Sequence, residues 1–129
     1  FGSKKASVPS NTVMVQLNKD TFPLIIQSQG LIQDMPKSGV ISLKLYNYNS
    51  GQKVIEESYI LTKGIVKKGE AKNPDITIQV ASKYIADAGD ICSLIKKARA
   101  NGDLGYELHS SKAGLLLKYS GMMKYKKCF

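Results

Sequence analysis

The strongest constraint on the fold is a change of period in the middle of the chain. After Met35-Pro36 the apolar residues repeat every second position. In "GVISLKLYNY", Ile41, Leu43 and Leu45 point one way while Ser42, Lys44 and Tyr46 point the other. "NSGQ" supplies turn residues, and "KVIEESYILTKG" returns as the second arm of a hairpin. A polar connection, "IVKKGEAKNP", has room for a short strand at Ile65-Val66, and "DITIQV" again alternates through Ile76, Ile78 and Val80. Such a meander has one apolar face, which must be covered.

The flanking segments supply the cover. Upstream, Asp20 is placed to cap a helix with Pro23 in its first turn and Phe22, Ile25 and Ile26 on one side; Gly30 kinks or ends it. Downstream, Ser82 caps a short helix, "KYIADAG". Asp90 caps a second, in which Ile91, Leu94, Ile95 and Ala98 fall at i, i+3, i+4 and i+7. "GDLGYEL" returns to period two through Leu104, Tyr106 and Leu108, as one more strand. The expected fold is α+β: an antiparallel sheet of about five strands with helices covering one face. Residues 1–11, "FGSKKASVPSN", read as a flexible lead-in, "TVMVQL" as a weak strand, and residues 12–129 as a single domain.

The last segment, "HSSKAGLLLKYSGMMKYKK", has five lysines and no acid. Ser110 or Ser111 caps it. Read as one helix over 111–127, it gathers Leu115, Leu116, Tyr119, Met122 and Met123 within an arc of about 120°. Lys118 and Lys124 lie outside that arc, and Lys126 and Lys127 close the last turn, where cations suit the helix dipole. Leu117 falls off the stripe, and Gly114 and Gly121 each weaken a helix by roughly 1 kcal/mol relative to alanine. The expectation is an amphipathic lid with a basic outer face.

Charge narrows the class of partner. The chain of 129 residues carries a formal +9, and all but one of its 19 basic residues are lysine, the exception being Arg99. Readers of nucleic acid lean on arginine for bidentate contacts, so nucleic acid is an unlikely partner here. The lysine excess fits a solvated face, general solubility or an anionic membrane surface.

No catalytic, metal or cofactor constellation emerges, and the expected protein is not an enzyme. His109 lies at a strand-to-helix junction where capping explains Ser110 and Ser111. Asp87 and Asp90 flank Gly89 as helix caps. "GDLGYE" lacks the lysine partner of a phosphate loop. Cys92 and Cys128 lack CxxC spacing and have one histidine for company, too few ligands for zinc. Two unpaired thiols are expected; a disulfide would need the C-terminal segment to pack on the helix bearing Cys92.

The order helix, strands, "PDITIQVASKYIADAGD", helix, "ANGDLGYEL" and "AGLLLKYSGM" resembles the sterol carrier protein family, over roughly residues 35–125. The chain departs from it in lacking tryptophan and in its N-terminal region. The resemblance implies non-catalytic binding of a lipid or other apolar small molecule in a tunnel between sheet and helices. The site expected is Leu115, Leu116, Tyr119, Met122 and Met123 walling a cavity against Ile76, Ile78 and Val80. The alternative is a ligand-free structural or interaction domain, such as the exported part of an anchored protein.

Overall fold

The computed structural model describes residues 18–87 and 89–129. The lead-in over 1–11 and the strand over 12–17 lie outside the described residues. Two short helices come first, α1 (Phe22–Gln27) and α2 (Gly30–Gln33). Strands β1 (Ile41–Asn49), β2 (Gln52–Thr62), β3 (Ile65–Lys68) and β4 (Ile76–Ala81) follow. A 3-10 turn at Ser82–Asp87 leads into α3 (Ile91–Ala100), β5 (Leu104–Leu108) and α4 (Lys112–Lys118). A 3-10 segment, Ser120–Cys128, ends the described structure but for Phe129.

The sheet has five strands in the order β3-β2-β1-β4-β5. The hairpin between β1 and β2 turns at Ser50-Gly51, with φ of 52° and 80°. Positive φ at both positions matches the twist of the flanking strands, which glycine tolerates without strain. Its register slips once, where Leu45 faces Glu57 but Tyr46 faces Ile55, so Glu56 is the bulged residue.

The sheet is mixed, not purely antiparallel. β1 and β4 run parallel, pairing Ile41 with Ile76, Leu43 with Ile78 and Leu45 with Val80. β3 already runs along β1, being antiparallel to β2, so the chain must cross back to the starting end before β4 can lie parallel on β1's free edge. On the way, residues 69–75 cross the face without helices: Glu70 takes a hydrogen bond from Lys44 Nζ at 3.1 Å, and the Gly69 N–H donates to the Ser58 carbonyl at 2.9 Å.

The helices cover the other face as expected. Phe22, Ile26, Leu31 and Ile32 from the first two helices meet Leu43, Tyr59, Leu61, Val66, Ile78 and Val80 of the sheet, with Ile91, Leu94, Ile95 and Ala98 of α3 completing the core. The Tyr59 hydroxyl donates to the Lys19 carbonyl at 2.7 Å, which satisfies its buried polar end, and burial pushes its pKa up to about 12. Asp90 caps α3, accepting from the Cys92 and Ser93 N–H groups. Asp20 does not cap α1. Thr21 holds the N-cap position, and Asn18 organises the turn before it, its side-chain oxygen accepting from the Asp20 and Thr21 N–H groups, while Asp20 pairs with Lys68. Gln27 accepts from the Val66 N–H at 3.0 Å and Gln29 from the Ile91 N–H at 2.7 Å. These two amides tie the first helices to edge strand β3 and to α3.

Candidate functional site

The C-terminal stretch is not one helix. α4 starts where Ser111 accepts from the Gly114 N–H at 3.1 Å, and it stops at Lys118. Beyond Tyr119 the backbone tightens to three residues per turn. In a 3-10 segment the side chains at i, i+3 and i+6 share one face. Tyr119, Met122, Tyr125 and Cys128 stand at that spacing, and all four turn inward while their neighbours face solvent. The segment is a strap laid along the body, and side-chain ties hold it.

Three ties are visible. The Tyr119 hydroxyl donates to Asp75 Oδ2 at 2.7 Å, beside an ion pair from Lys118. The Tyr125 hydroxyl donates to Asp34 Oδ2 at 2.5 Å, beside an ion pair from Lys124. Cys128 is joined to Cys92 of α3 by a disulfide. The expectation of two free thiols is therefore corrected: the strap packs across α3, which brings the Cα atoms to 5.0 Å, within bonding reach. Past the disulfide, Arg99 of α3 donates to the Phe129 backbone oxygen. Gly30 makes room for the strap, since a Cβ there would stand 2.6 Å from the Tyr125 hydroxyl.

Asp75 is the junction of the molecule. Its carboxylate accepts from Tyr119, from Lys118 and from the Val40 N–H at 3.1 Å. Its backbone N–H donates to the Val40 carbonyl, and its carbonyl accepts from the His109 N–H. One residue thus aligns the starts of the parallel pair β1–β4, the end of β5 and the start of the strap. Burial alone would raise its pKa, but the hydrogen bonds from Tyr119, Lys118 and Val40 outweigh burial, and the carboxyl is held below its ordinary value. The Tyr119 phenol is pushed up, first by burial and then by the same bond to Asp75.

Between sheet and helices lies a small, largely enclosed cavity of ≈ 20 Å³ with an apolar wall. Leu43, Ile78 and Val80 form its sheet side, Phe22 and Leu94 its helix side, and Phe129 one end. Of the residues expected to bind a ligand, Ile78 and Val80 reach this cavity. Ile76 is half-buried against the core, as are Tyr119 and Met122. Leu115 is buried, but Leu116 is 55% exposed and Met123 51% exposed. The strap presents Phe129 to the cavity instead of its leucines and methionines. The period of three in Tyr119, Met122, Tyr125 and Cys128 is the sequence signal that the reading as one helix over 111–127 passed over.

The other candidates resolve simply. His109 Nε2 lies 2.8 Å from Thr77 Oγ1 and 3.8 Å from Glu107 Oε1. Both neighbours meet the same ring nitrogen, so the ring does not link hydroxyl to carboxylate as a base held by an acid must. Asp87 pairs with Lys97 at 3.0 Å. Among the described residues no three His, Cys, Asp or Glu side chains gather as metal ligands, and no helix is long and apolar enough to cross a membrane.

No protein-family model matches the sequence, and no curated protein matches it. Among solved structures, the chain resembles a sterol carrier protein domain. That structure is the solution structure of the sterol carrier protein domain 2 of Helicoverpa armigera, at 18% identity and a TM-score of 0.43, with 78% of this chain and 76% of that chain covered. No residue role is taken from it.

Proposed function

We propose that this chain is a non-catalytic module that takes a lipid or other apolar ligand between its sheet and its helices. One observation carries the reading: the interior opening at the sheet–helix interface has no polar wall. Such a space offers nothing to hold water and suits an apolar guest. At ≈ 20 Å³ it is closed to any lipid, since ligand pockets run to about 300–1,000 Å³. Binding therefore requires the wall to part. Phe129 is the part best placed to move, being 37% exposed and beyond the disulfide. In this reading Ile76, Ile78 and Val80 are the floor, and Leu115, Tyr119 and Met122 are the wall exposed on opening. The resemblance of element order to sterol carrier proteins implies the same ligand class.

The test is uptake of a fluorescent fatty acid, together with the native mass of the purified protein. Phe129→Ala should raise uptake without unfolding the chain. Uptake by neither form, with a bare chain mass, would sink the proposal. That outcome would favour the second reading, a ligand-free interaction domain, which the small volume of the cavity supports.

A further inference from the structure

Among the described residues, the outer side of α4 has no partner. Leu115 is buried, but Leu116 and Leu117 beside it are 55% and 79% exposed, and Met123 follows at 51%. Two adjacent leucines on the convex side of a short helix are not shaped to fill a neighbour's pocket. Exposed apolar residues grouped in this way mark an interaction surface more often than scattered ones do.

The charge around them has one sign. From His109 to Phe129 there is no acidic residue. Of the five lysines there, Lys118 and Lys124 are engaged by Asp75 and Asp34. Lys112, Lys126 and Lys127 carry no ion pair among the described residues. The internal acids thus engage two lysines of this segment and leave the other three exposed and without an ion pair among the described residues.

We propose that this face docks on an anionic lipid surface, with Leu116, Leu117 and Met123 entering the acyl boundary and Lys112, Lys126 and Lys127 meeting the headgroups. A fluid apolar layer accepts convex leucines without a matching groove, and long lysine stems reach up to the charged layer. Docking needs no opening of the cavity, because the residues involved already face solvent. It therefore stands apart from the ligand reading.

The test uses the oxidised full chain with phosphatidylcholine vesicles, with and without phosphatidylserine, in a sedimentation assay. Wild type should bind the phosphatidylserine vesicles and bind phosphatidylcholine alone far more weakly. The triple variant Lys112→Gln/Lys126→Gln/Lys127→Gln should lose roughly a hundredfold in affinity, at about fivefold per lysine near an anionic surface. Leu116→Ser and Leu117→Ser should each lose roughly tenfold, from the apolar area withheld from the lipid. All five positions are exposed, so unchanged thermal unfolding would confirm that the variants fold. Absence of binding to phosphatidylserine vesicles overturns the proposal. So does binding that falls with the lysines but ignores both leucines, which is the behaviour of a plain polyanion contact. Loss of a wild-type dimer in Leu117→Ser, without vesicle binding by the wild type, would instead assign the face to a second copy of the chain.

Discussion

α3 and the C-terminal strap look alike as sequences and differ as structures. Each has a serine or aspartate cap, apolar residues at helical spacing and lysines toward its end. α3 buries all four of its stripe residues, none more than 5% exposed, against the sheet and the first helices. α4 and the strap together bury Leu115 and Cys128 and leave Leu116, Leu117 and Met123 in water. α3 is held by area removed from water; the strap is held by a few directed bonds. An apolar stripe imposes a helix only where a face remains to receive it. The core beneath the strap is already filled by α1, α2 and α3, so the strap takes the geometry that its tethers demand.

The sharpest test of that difference compares two leucines. Leu94→Ala in α3 removes a side chain 2% exposed and should cost about 3–5 kcal/mol in urea unfolding. Leu117→Ala should change stability by less than about 0.5 kcal/mol. Similar costs for the two would erase the contrast.

Next in size is the disulfide. Cys92 and Cys128 are 36 positions apart, and opening a loop of that length should cost roughly 3–4 kcal/mol in the chain-entropy account. Reduction should release the strap before α3, so amide exchange should speed up over 119–128 while 91–100 stays protected. Loss of protection in both together would show that they form one cooperative unit.

A smaller effect is expected at Asp75. Tyr119→Phe removes a hydrogen bond to a charged group and should cost roughly 1.5–3 kcal/mol. The carboxyl is held below its unfolded value of 3.8, so its contribution is present above that value and lost as pH falls through the folded one. The Tyr119 phenol is raised above its unfolded value of 10.0, so its contribution is present below that value and lost as pH rises through the folded one. The strap of the reduced protein should therefore be firm between these limits and loosen first in acid. Near-ultraviolet circular dichroism of the tyrosines would follow it, and a signal flat through acid would contradict the role given to Asp75.

The smallest contrast tests the period of three. Met122→Ala, half-buried, should cost about 1 kcal/mol, and Met123→Ala less than about 0.5 kcal/mol. An α-helical strap would make the two methionines nearly equal.

Local pattern and chain order determined a good deal. The alternation of Ile41, Leu43 and Leu45 and of Ile76, Ile78 and Val80 marked two strands and their buried face, because in an extended chain each side chain has its side fixed by its neighbour's. The pair Ser50-Gly51, the cap at Asp90 and the stripe of α3 were likewise written within a few residues of where they act. The tertiary structure decided what depends on distant partners. The parallel pairing of β1 with β4 rests on Asp75 meeting Val40, 35 positions away, and the pairing of Cys128 with Cys92 rests on the strap crossing α3. The ends of α4, the turning of Tyr119 and Tyr125 toward two aspartates, and the exposure of Leu116 and Leu117 follow from how little of the core α1, α2 and α3 leave for the last segment to cover. Side-chain spacing states which residues share a face; only the packed molecule decides whether that face has anywhere to go.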